Sequence, residues 1–518
     1  MTERMINTGD WIEKWASIHP DKIAVYSNGV PCSYRMLNER INRLAQILLK
    51  KGIRKADRVA VLLHNCIQYV EIFFAVSKIG GILVPLNWRL AKPELEFILK
   101  DSRTRFIIFE EEFLDHAIQL RGALAMESCI SCATNASGPS RILPEWVEDY
   151  ETLMNQAPST MPEPPQISGD DEPHILMYTS GTTGMPKGAM LSHKKTFFNV
   201  LNASIYFDLT RHDIAIITRP FFHSGGLIVE LAPVLYKGGT VIIQRRFGPE
   251  DILKTVERYR VTILELPATV YNFILHDCDI ERYDLSSVKC FFTGGERVPI
   301  SLLKAFYEKG ITISQIYGLT EASTLFWLPY DMAHKKMGSV GKPVFHADVR
   351  IVDENGMPVP PGVVGEIIVK GPVVMNGYWE RPDLTKDVIK NRWLYTGDLA
   401  YMDEEGFVYI VDRKKDMFIS GGENVYPAEV EKVFLNHPLI LDAAVIGVDD
   451  DKWGEVGKAF IVPKLGVKID EAELKRFLNE RLARYKIPKY IEFVDKLPKT
   501  ASGKIRKSIL KGSHNHGV

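Results

Sequence analysis

Two stretches far apart in the chain carry residue types suited to phosphate chemistry. Near the end, Thr500-Ala-Ser-Gly-Lys-Ile505 sets one cation, Lys504, on a small flexible turn. Far earlier, Tyr178-Thr-Ser-Gly-Thr-Thr-Gly-Met-Pro-Lys-Gly188 gathers hydroxyls, glycines and a second lysine, Lys187. Thr179, Ser180, Gly181, Thr182, Thr183 and Gly184 offer backbone N–H groups and hydroxyls that can donate to an anion. Pro186 fixes the backbone ahead of Lys187. Ile175-Leu-Met-Tyr178 has the apolar pattern of a strand that would present such a loop. The Walker spacing G-x-x-x-x-G-K-[ST] is absent, and a Ser/Thr/Gly loop by composition alone is as readily a flexible turn.

The whole string is far more specific than its composition. It resembles the phosphate loop of the adenylate-forming superfamily, which holds the acyl-CoA synthetases, the amino-acid adenylation domains and the beetle luciferases. Further strings follow in that family's order: Gly294-Gly-Glu296, Tyr317-Gly-Leu-Thr-Glu321, Gly338-Ser-Val-Gly-Lys-Pro343, Tyr395-Thr-Gly-Asp398, Asp412-Arg413, Gly421-Gly-Glu-Asn424 and Pro498-Lys-Thr-Ala-Ser-Gly-Lys504. The resemblance covers nearly the entire chain. It implies an AMP-forming acyl-CoA ligase, with ATP, Mg²⁺ and CoA as reactants. A carboxylate attacks the α-phosphate of ATP and expels pyrophosphate, and a thiol then attacks the acyl-adenylate and expels AMP.

The same resemblance implies roles for particular residues. Tyr317 and its neighbour Gly318 match the segment whose ring packs on adenine, and Gly294, Gly295 and Glu296 match the adenine edge. Thr320 corresponds to the α-phosphate hydroxyl and Glu321 to the carboxylate that holds Mg²⁺, a hard ion suited to oxygen ligands. Asp398 corresponds to the ribose clamp, with Arg413 beside it. Lys504 corresponds to the cation that bridges carboxylate and phosphate as charge builds. Because that lysine blocks the thiol, the family rotates its small C-terminal domain about a hinge, here matched by Lys415. Gly422 and Trp453, and Tyr485 with less support, match positions that line the CoA route. Taken singly, Glu321, Asp398 and Arg413 would read as surface charges and Tyr317 as a core ring.

Pro220-Phe-Phe-His223-Ser-Gly-Gly226 bears on the acid. Amino-acid-activating relatives place an aspartate here for the substrate ammonium. This chain has an aromatic residue and His223, and an ammonium buried without its carboxylate is costly. His223 resembles an aromatic gate at the carboxylate end of the acyl site. Phe198, Phe222, Leu227 and Leu319 can line an apolar cavity, which points to a fatty, alicyclic or aromatic acid. Two alternatives stay open: a ligase that loads a separate carrier protein, and a degenerate nucleotide-binding relative without activity.

The elements that must position these residues are legible in outline. Leu37, Ile41, Leu44, Ile47 and Leu48 recur at helical spacing. Strand-like runs at 58–63, 81–85 and 105–109 alternate with helical stretches at 69–78 and 93–100, the pattern of a largely parallel α/β sheet. Strands recur at 213–218, 240–244, 261–266 and 288–293. The predicted fold is α/β: a large N-terminal domain of α/β sheet subdomains over 1–412, with a β-rich subdomain at about 337–412. A hinge at 413–415 and a mobile small α+β C-terminal domain over 416–518, with a helix starting at Pro427, complete it. The polar, Pro-rich 155–173 segment reads as a connector.

Composition sets bounds. The chain has 518 residues, 46 % hydrophobic and 25 % charged, with a net charge of −1. That balance gives no global field for nucleic acid or an anionic membrane. The longest apolar stretch, around Glu71–Val76, is too short and interrupted to span a bilayer. The opening residues lack a signal-peptide pattern, so the cytoplasm is the expected location. The expected partners are a small-molecule carboxylic acid and CoA, and a homodimer stays open. Six cysteines are too few for a disulfide scaffold. Cys129 and Cys132 form a lone C-x-x-C, read as surface or loop residues.

Overall fold

The computed structural model of the protein describes residues 7–514, apart from 124–125, 134–141, 164–168, 180–185, 244, 246–247, 297, 421–422, 451–452, 468, 483 and 501–502. Two large α/β sheets form the N-terminal part. In one, strands Ile23–Ser27, Thr240–Ile243, Ile214–Ile217, Ile263–Glu265, Cys290–Gly294 and Ile313–Leu319 lie side by side and parallel. Antiparallel strands close its edges. In the other, Ile82–Pro85, Arg58–Leu62, Phe106–Glu110, Ser128–Cys132 and Val147–Asp149 run parallel next to the antiparallel pair Pro173–Thr179 and Lys187–Ser192.

The parallel strands are apolar on both faces because helices cover both sides. The helix Tyr34–Lys50 buries Leu37, Ile41, Leu44 and Leu48, and the Ser33 hydroxyl caps it by accepting from the Met36 N–H at 3.2 Å. The helix Ile67–Lys78 is buried along nearly its whole length, which accounts for its largely apolar sequence. No helix among the described residues is long and apolar enough to cross a membrane.

Two expectations need correction. Cys129 and Cys132 are neither surface nor loop residues; both are buried on the Ser128–Cys132 strand. Three residues apart on a strand, they face opposite layers and join different apolar clusters. The β-rich region also starts later than about 337 and is not continuous. Lys342–Pro343 still pairs with Ser323–Trp327 in the first large sheet, and Gly377–Tyr378 returns to pair with Lys187–Ser192 in the second. That return covers an edge strand whose N–H and C=O groups would otherwise lie open.

The remaining antiparallel sheet is built from Asp348–Val352, Gly365–Lys370, Ile389–Lys390, Trp393–Met402 and Val408–Arg413. A fourth sheet, with Ile440–Asp450 paired along its length to Gly454–Pro463, packs against the helices Pro427–Leu435 and Glu471–Asn479. This is the compact α+β tail.

Candidate active site

Two hairpins place the reactive side chains. Thr179 pairs with Lys187 across the first hairpin, so the Ser/Thr/Gly string is its connecting loop. Of the residues singled out there, Ser180, Gly181, Thr182, Thr183 and Gly184 lie outside the described residues. Lys187 stands 5.4 Å from the centre of the Tyr378 ring.

The second hairpin joins Ile313–Leu319 to Ser323–Trp327 through Thr320-Glu321-Ala322, with Ser323 left-handed at φ 56°. A three-residue loop followed by a left-handed residue is a standard hairpin geometry. It carries Thr320 and Glu321 at its tip. Gly318 is required beneath it, since a Cβ there would come 2.0 Å from the Ser323 carbonyl oxygen. Glu321 Oε1 accepts from the Tyr378 hydroxyl at 3.0 Å and lies 3.5 Å from the Thr179 hydroxyl. The two hairpins therefore meet at Glu321.

Sequence reasoning missed Lys195, which supports this tip. It is fully buried in the first turn of the helix His193–Tyr206, and its ammonium donates to the Ser323 hydroxyl. Burial lowers its pKa to about 7, against a raising influence from Glu321. A Lys-Lys pair after a strand gives no sign that one member turns inward.

The Tyr317 hydroxyl donates to Asp398 Oδ2, and Arg413 Nε lies 3.2 Å from Asp398 Oδ1. Burial, then the Asp398 charge, drives the Tyr317 phenol well above its usual range. Next to Tyr317, the Cys290–Gly294 strand ends in Gly294, where a Cβ would meet the Ile316 carbonyl oxygen at 2.5 Å, and Gly295, left-handed at φ 75°. Glu296 accepts from the Thr269 N–H at 3.3 Å.

From Arg413 the chain enters the α+β tail. Asp412 Oδ2 accepts from the Ala428 N–H at 2.7 Å, capping the helix Pro427–Leu435, whose own N-cap Tyr426 makes no side-chain cap bond. Lys415 sits in the exposed turn after Arg413. Gly503 faces the N-terminal part closely enough that a Cβ there would lie 3.9 Å from Glu296 Oε2. The Lys504 N–H donates to the Thr500 hydroxyl at 3.1 Å, which closes the turn. The Lys504 side chain keeps contact with solvent, yet protein crowds it. That crowding and Arg413 lower its pKa, while Asp398 and Glu321 raise it. The structure thus gathers Lys504, Glu321, Asp398 and Arg413 from four separate strings into one electrostatic neighbourhood. Gly422 lies outside the described residues. Trp453 is half exposed in the turn between the two long tail strands, its N–H donating to Asp450 at 3.0 Å.

His223 is buried against Phe222, with ring centroids 4.7 Å apart, and its Nε2 has no partner. Burial first, then Lys504, Arg219 and Arg89, lowers its pKa to about 4, so the imidazole is neutral at pH 7. Phe222 and Leu227 are buried as an apolar wall requires. The expectation of a purely apolar surround is nevertheless incomplete. Arg219, Glu230 and Glu265 form a buried charged cluster next to His223, with Arg219 Nε 3.1 Å from Glu230 and 3.2 Å from Glu265. The signal was available: each glutamate interrupts an apolar run, Leu-Ile-Val-Glu230-Leu and Thr-Ile-Leu-Glu265-Leu. A different cluster, His64, Glu110 and Glu112, has the spacing of a metal site. Arg245 pairs with both of its carboxylates, so ion pairs account for it.

Comparison with known proteins agrees with this geometry. Residues 12–379 match the AMP-binding enzyme family, and residues 429–504 match the AMP-binding enzyme C-terminal domain. A feruloyl-CoA synthase from Amycolatopsis sp is 41 % identical over 502 residues, covering 96 % of this chain and 97 % of that protein. An indoleacetate–CoA ligase from Aromatoleum aromaticum is 36 % identical over 500 residues, covering 96 % of each. The o-succinylbenzoate CoA synthetase of Bacillus subtilis, solved with its acyl-adenylate intermediate, superposes with a TM-score of 0.85 at 34 % identity, covering 97 % of this chain and 98 % of that one. The same synthetase has been solved with ATP and magnesium ion, at 33 % identity, a TM-score of 0.85 and coverage of 97 % and 99 %. With two hairpins converging on Glu321 and Lys504 within electrostatic reach of it, the chain belongs to the AMP-binding enzymes and is an acid–thiol ligase that uses ATP, Mg²⁺ and CoA.

Proposed function

We propose that the protein converts an aromatic carboxylic acid to its CoA thioester in two steps at one site, with the residues above in the following roles. The observation that carries the reading is the electrostatic reach of Arg413, Asp398 and Glu321 to Lys504. An acid oxygen attacks the α-phosphorus of ATP, the bond to the β-phosphate breaks, and pyrophosphate leaves. Lys504 lies between the acid and the α-phosphate, where a compact ammonium offsets the charge that builds on both. Thr320 donates to the α-phosphate. The phosphate loop with Lys187 holds the outer phosphates. Tyr317 and the Gly294–Glu296 turn bracket adenine, and Asp398 and Arg413 hold the ribose.

Magnesium fits the donor set, since Glu321 carboxylate oxygens beside the Thr179 hydroxyl suit a hard cation, and the ion would neutralise phosphate charge. In the second step the CoA sulfur loses its proton and attacks the acyl carbonyl, and AMP leaves. Lys504 must first withdraw. The tail turns about Lys415, a residue of the exposed turn that joins the two parts. Gly422, having no side chain to narrow the thiol route, would let the CoA arm pass, with Trp453 near the CoA nucleotide. His223, neutral and facing Phe222, gates the acyl carboxyl end. ATP and CoA are reactants of the cytoplasm, which is where the reading locates the enzyme.

An aromatic rather than aliphatic acid is favoured by the names of the similar proteins, a feruloyl-CoA synthase and an indoleacetate–CoA ligase, and by the ring-lined wall at Phe222 and His223. The test is a panel of aromatic, alicyclic and fatty acids scored by pyrophosphate release with and without CoA. Aromatic acids should release pyrophosphate and form thioesters. Preference for straight-chain acids, or thioester formation only on a carrier protein, contradicts the reading.

A further inference from the structure

The Arg219 cluster is built unlike an ordinary core ion pair. Both glutamates come within 3.2 Å of one guanidinium nitrogen, and each keeps at most 5 % of its side chain exposed. Arg219 Nη2 donates to the Gly294 carbonyl at 2.8 Å. Two buried carboxylates against a single cation cannot both stay ionised at low cost. Burial and the neighbouring Glu265 charge raise Glu230 well above the usual carboxyl range. Burial beside a second carboxylate thus favours the protonated form of Glu230, with one proton between the two glutamates.

The three groups partner one another only in part. Arg219 Nε is within ion-pair distance of both carboxylates and Glu230 contacts Glu265, yet Arg219 Nε, both Glu230 oxygens and Glu265 Oε2 are not aligned for a well-formed hydrogen bond, although they are buried. The neighbouring Thr218 and Thr293 hydroxyls and His223 Nε2 share this condition. Native proteins leave few such groups orphaned, and a concentration of them indicates a site that a ligand completes. The location agrees. Arg219 and Gly294 follow or end parallel strands, and Glu265 ends the strand between them, with Ala215, Ile263 and Cys290 in register. Ligands of open α/β sheets bind beyond these carboxyl ends. Gly225 and Gly295 put no side chain over Arg219; a Cβ on Gly225 would sit 3.1 Å from its Cδ and one on Gly295 3.2 Å from its Nη1. Glu230 is carried by a π-helical turn, Gly225–Leu231, a distortion common at functional sites. Arg219 also acts electrostatically on both His223 and Lys504, so the cluster is near the place proposed for the reacting carboxylate.

We propose that Glu230, Glu265 and Arg219 form a subsite for the far end of the acyl group, selecting an aromatic acid that carries a neutral hydrogen-bonding substituent such as a phenolic hydroxyl. The hydroxyl donates to one glutamate oxygen and accepts from the proton shared between the pair. A second carboxylate on the substrate is disfavoured, because it would face two glutamates already served by one guanidinium. The inference rests on the aromatic-acid reading above.

The test uses matched acids: cinnamate against 4-hydroxycinnamate, phenylacetate against 4-hydroxyphenylacetate, and a 4-carboxylated analogue of each. Pyrophosphate release gives kcat/KM on the purified full-length enzyme. In at least one series the hydroxylated acid should exceed its parent by about tenfold or more, because a site made to pair a hydroxyl penalises its absence. The carboxylated analogue should be the poorest of the three. Glu230→Leu should bring the hydroxyl-to-parent ratio toward one while leaving KM for ATP unchanged. A wild-type ratio near one in both series overturns the subsite whether or not the variant folds. A ratio unchanged in a folded Glu230→Leu protein also overturns it. Failure of every aromatic acid to release pyrophosphate, with fatty acids active, instead refutes the aromatic reading itself.

Discussion

Asp398 and Arg413 face each other across neighbouring antiparallel strands, with Oδ1 and Nε 3.2 Å apart, while the other Asp398 oxygen takes the Tyr317 hydroxyl. One carboxylate thus ties the ring proposed for adenine to the arginine that precedes the proposed hinge. Asp398→Asn keeps the shape and removes the charge. Charge-assisted hydrogen bonds lost to a ribose cost about 2 kcal/mol, or about thirtyfold in KM for ATP. Steady-state kinetics varying ATP will show this, whereas a change confined to KM for the acid contradicts the ribose role.

Lys504 and Lys415 should separate the two half-reactions. Lys504→Ala should slow acid-dependent ATP–pyrophosphate exchange by about a hundredfold or more, since a positioned cation is removed from the developing charge. Thioester formation from supplied acyl-adenylate should persist. Lys415→Pro should do the reverse: its fixed φ arrests the rotation, so exchange continues and thioester formation is lost. Equal loss of both steps in either variant argues against domain alternation.

Gly318→Ala should damage stability and activity together. Its Cβ would press on the Ser323 carbonyl at 2.0 Å, within the hairpin that carries Thr320 and Glu321. We expect a loss of about 2 kcal/mol or more in unfolding free energy, read by denaturant titration. Turnover should also be lost under conditions where the variant remains folded. Wild-type turnover in the variant would mean that the hairpin tip is not needed in this shape.

Acid should destabilise the fold through stacked imidazoles. His174 and His193 lie 4.3 Å apart, ring on ring, and are both buried. Burial lowers His193 from 6.5 to about 4 and holds His174 well below its usual value. The fold prefers the neutral rings, so their contribution is fully present above pH 6.5 and is lost as pH falls toward 4. The Tm should drop across that window. His193→Asn keeps a polar side chain beside Thr8 but cannot titrate, and its Tm profile should be flatter. Parallel profiles for the two proteins refute the assignment.

Much of the fold was readable because the patterns are local. Helical spacing at Leu37–Leu48 and apolar runs such as 58–63 and 105–109 each report burial within their own element. The strings around Glu321, Asp398 and Lys504 were readable for another reason: glycines and prolines fix tight turns whose geometry depends on few neighbours. The Gly377–Tyr378 strand was not readable, because its partner lies nearly two hundred residues away and pairing leaves no trace in composition.

The order of the motifs, the hairpin glycines and the apolar periodicity were set by the sequence alone, since each depends on short-range sterics and on which residues water excludes. Which charges turn inward was decided only by tertiary packing. Lys195 beneath Ser323, and Glu230 and Glu265 around Arg219, are buried because strands distant in sequence meet there. Burial and pairing are properties of the assembled space, and a residue's own neighbours in the chain do not specify them.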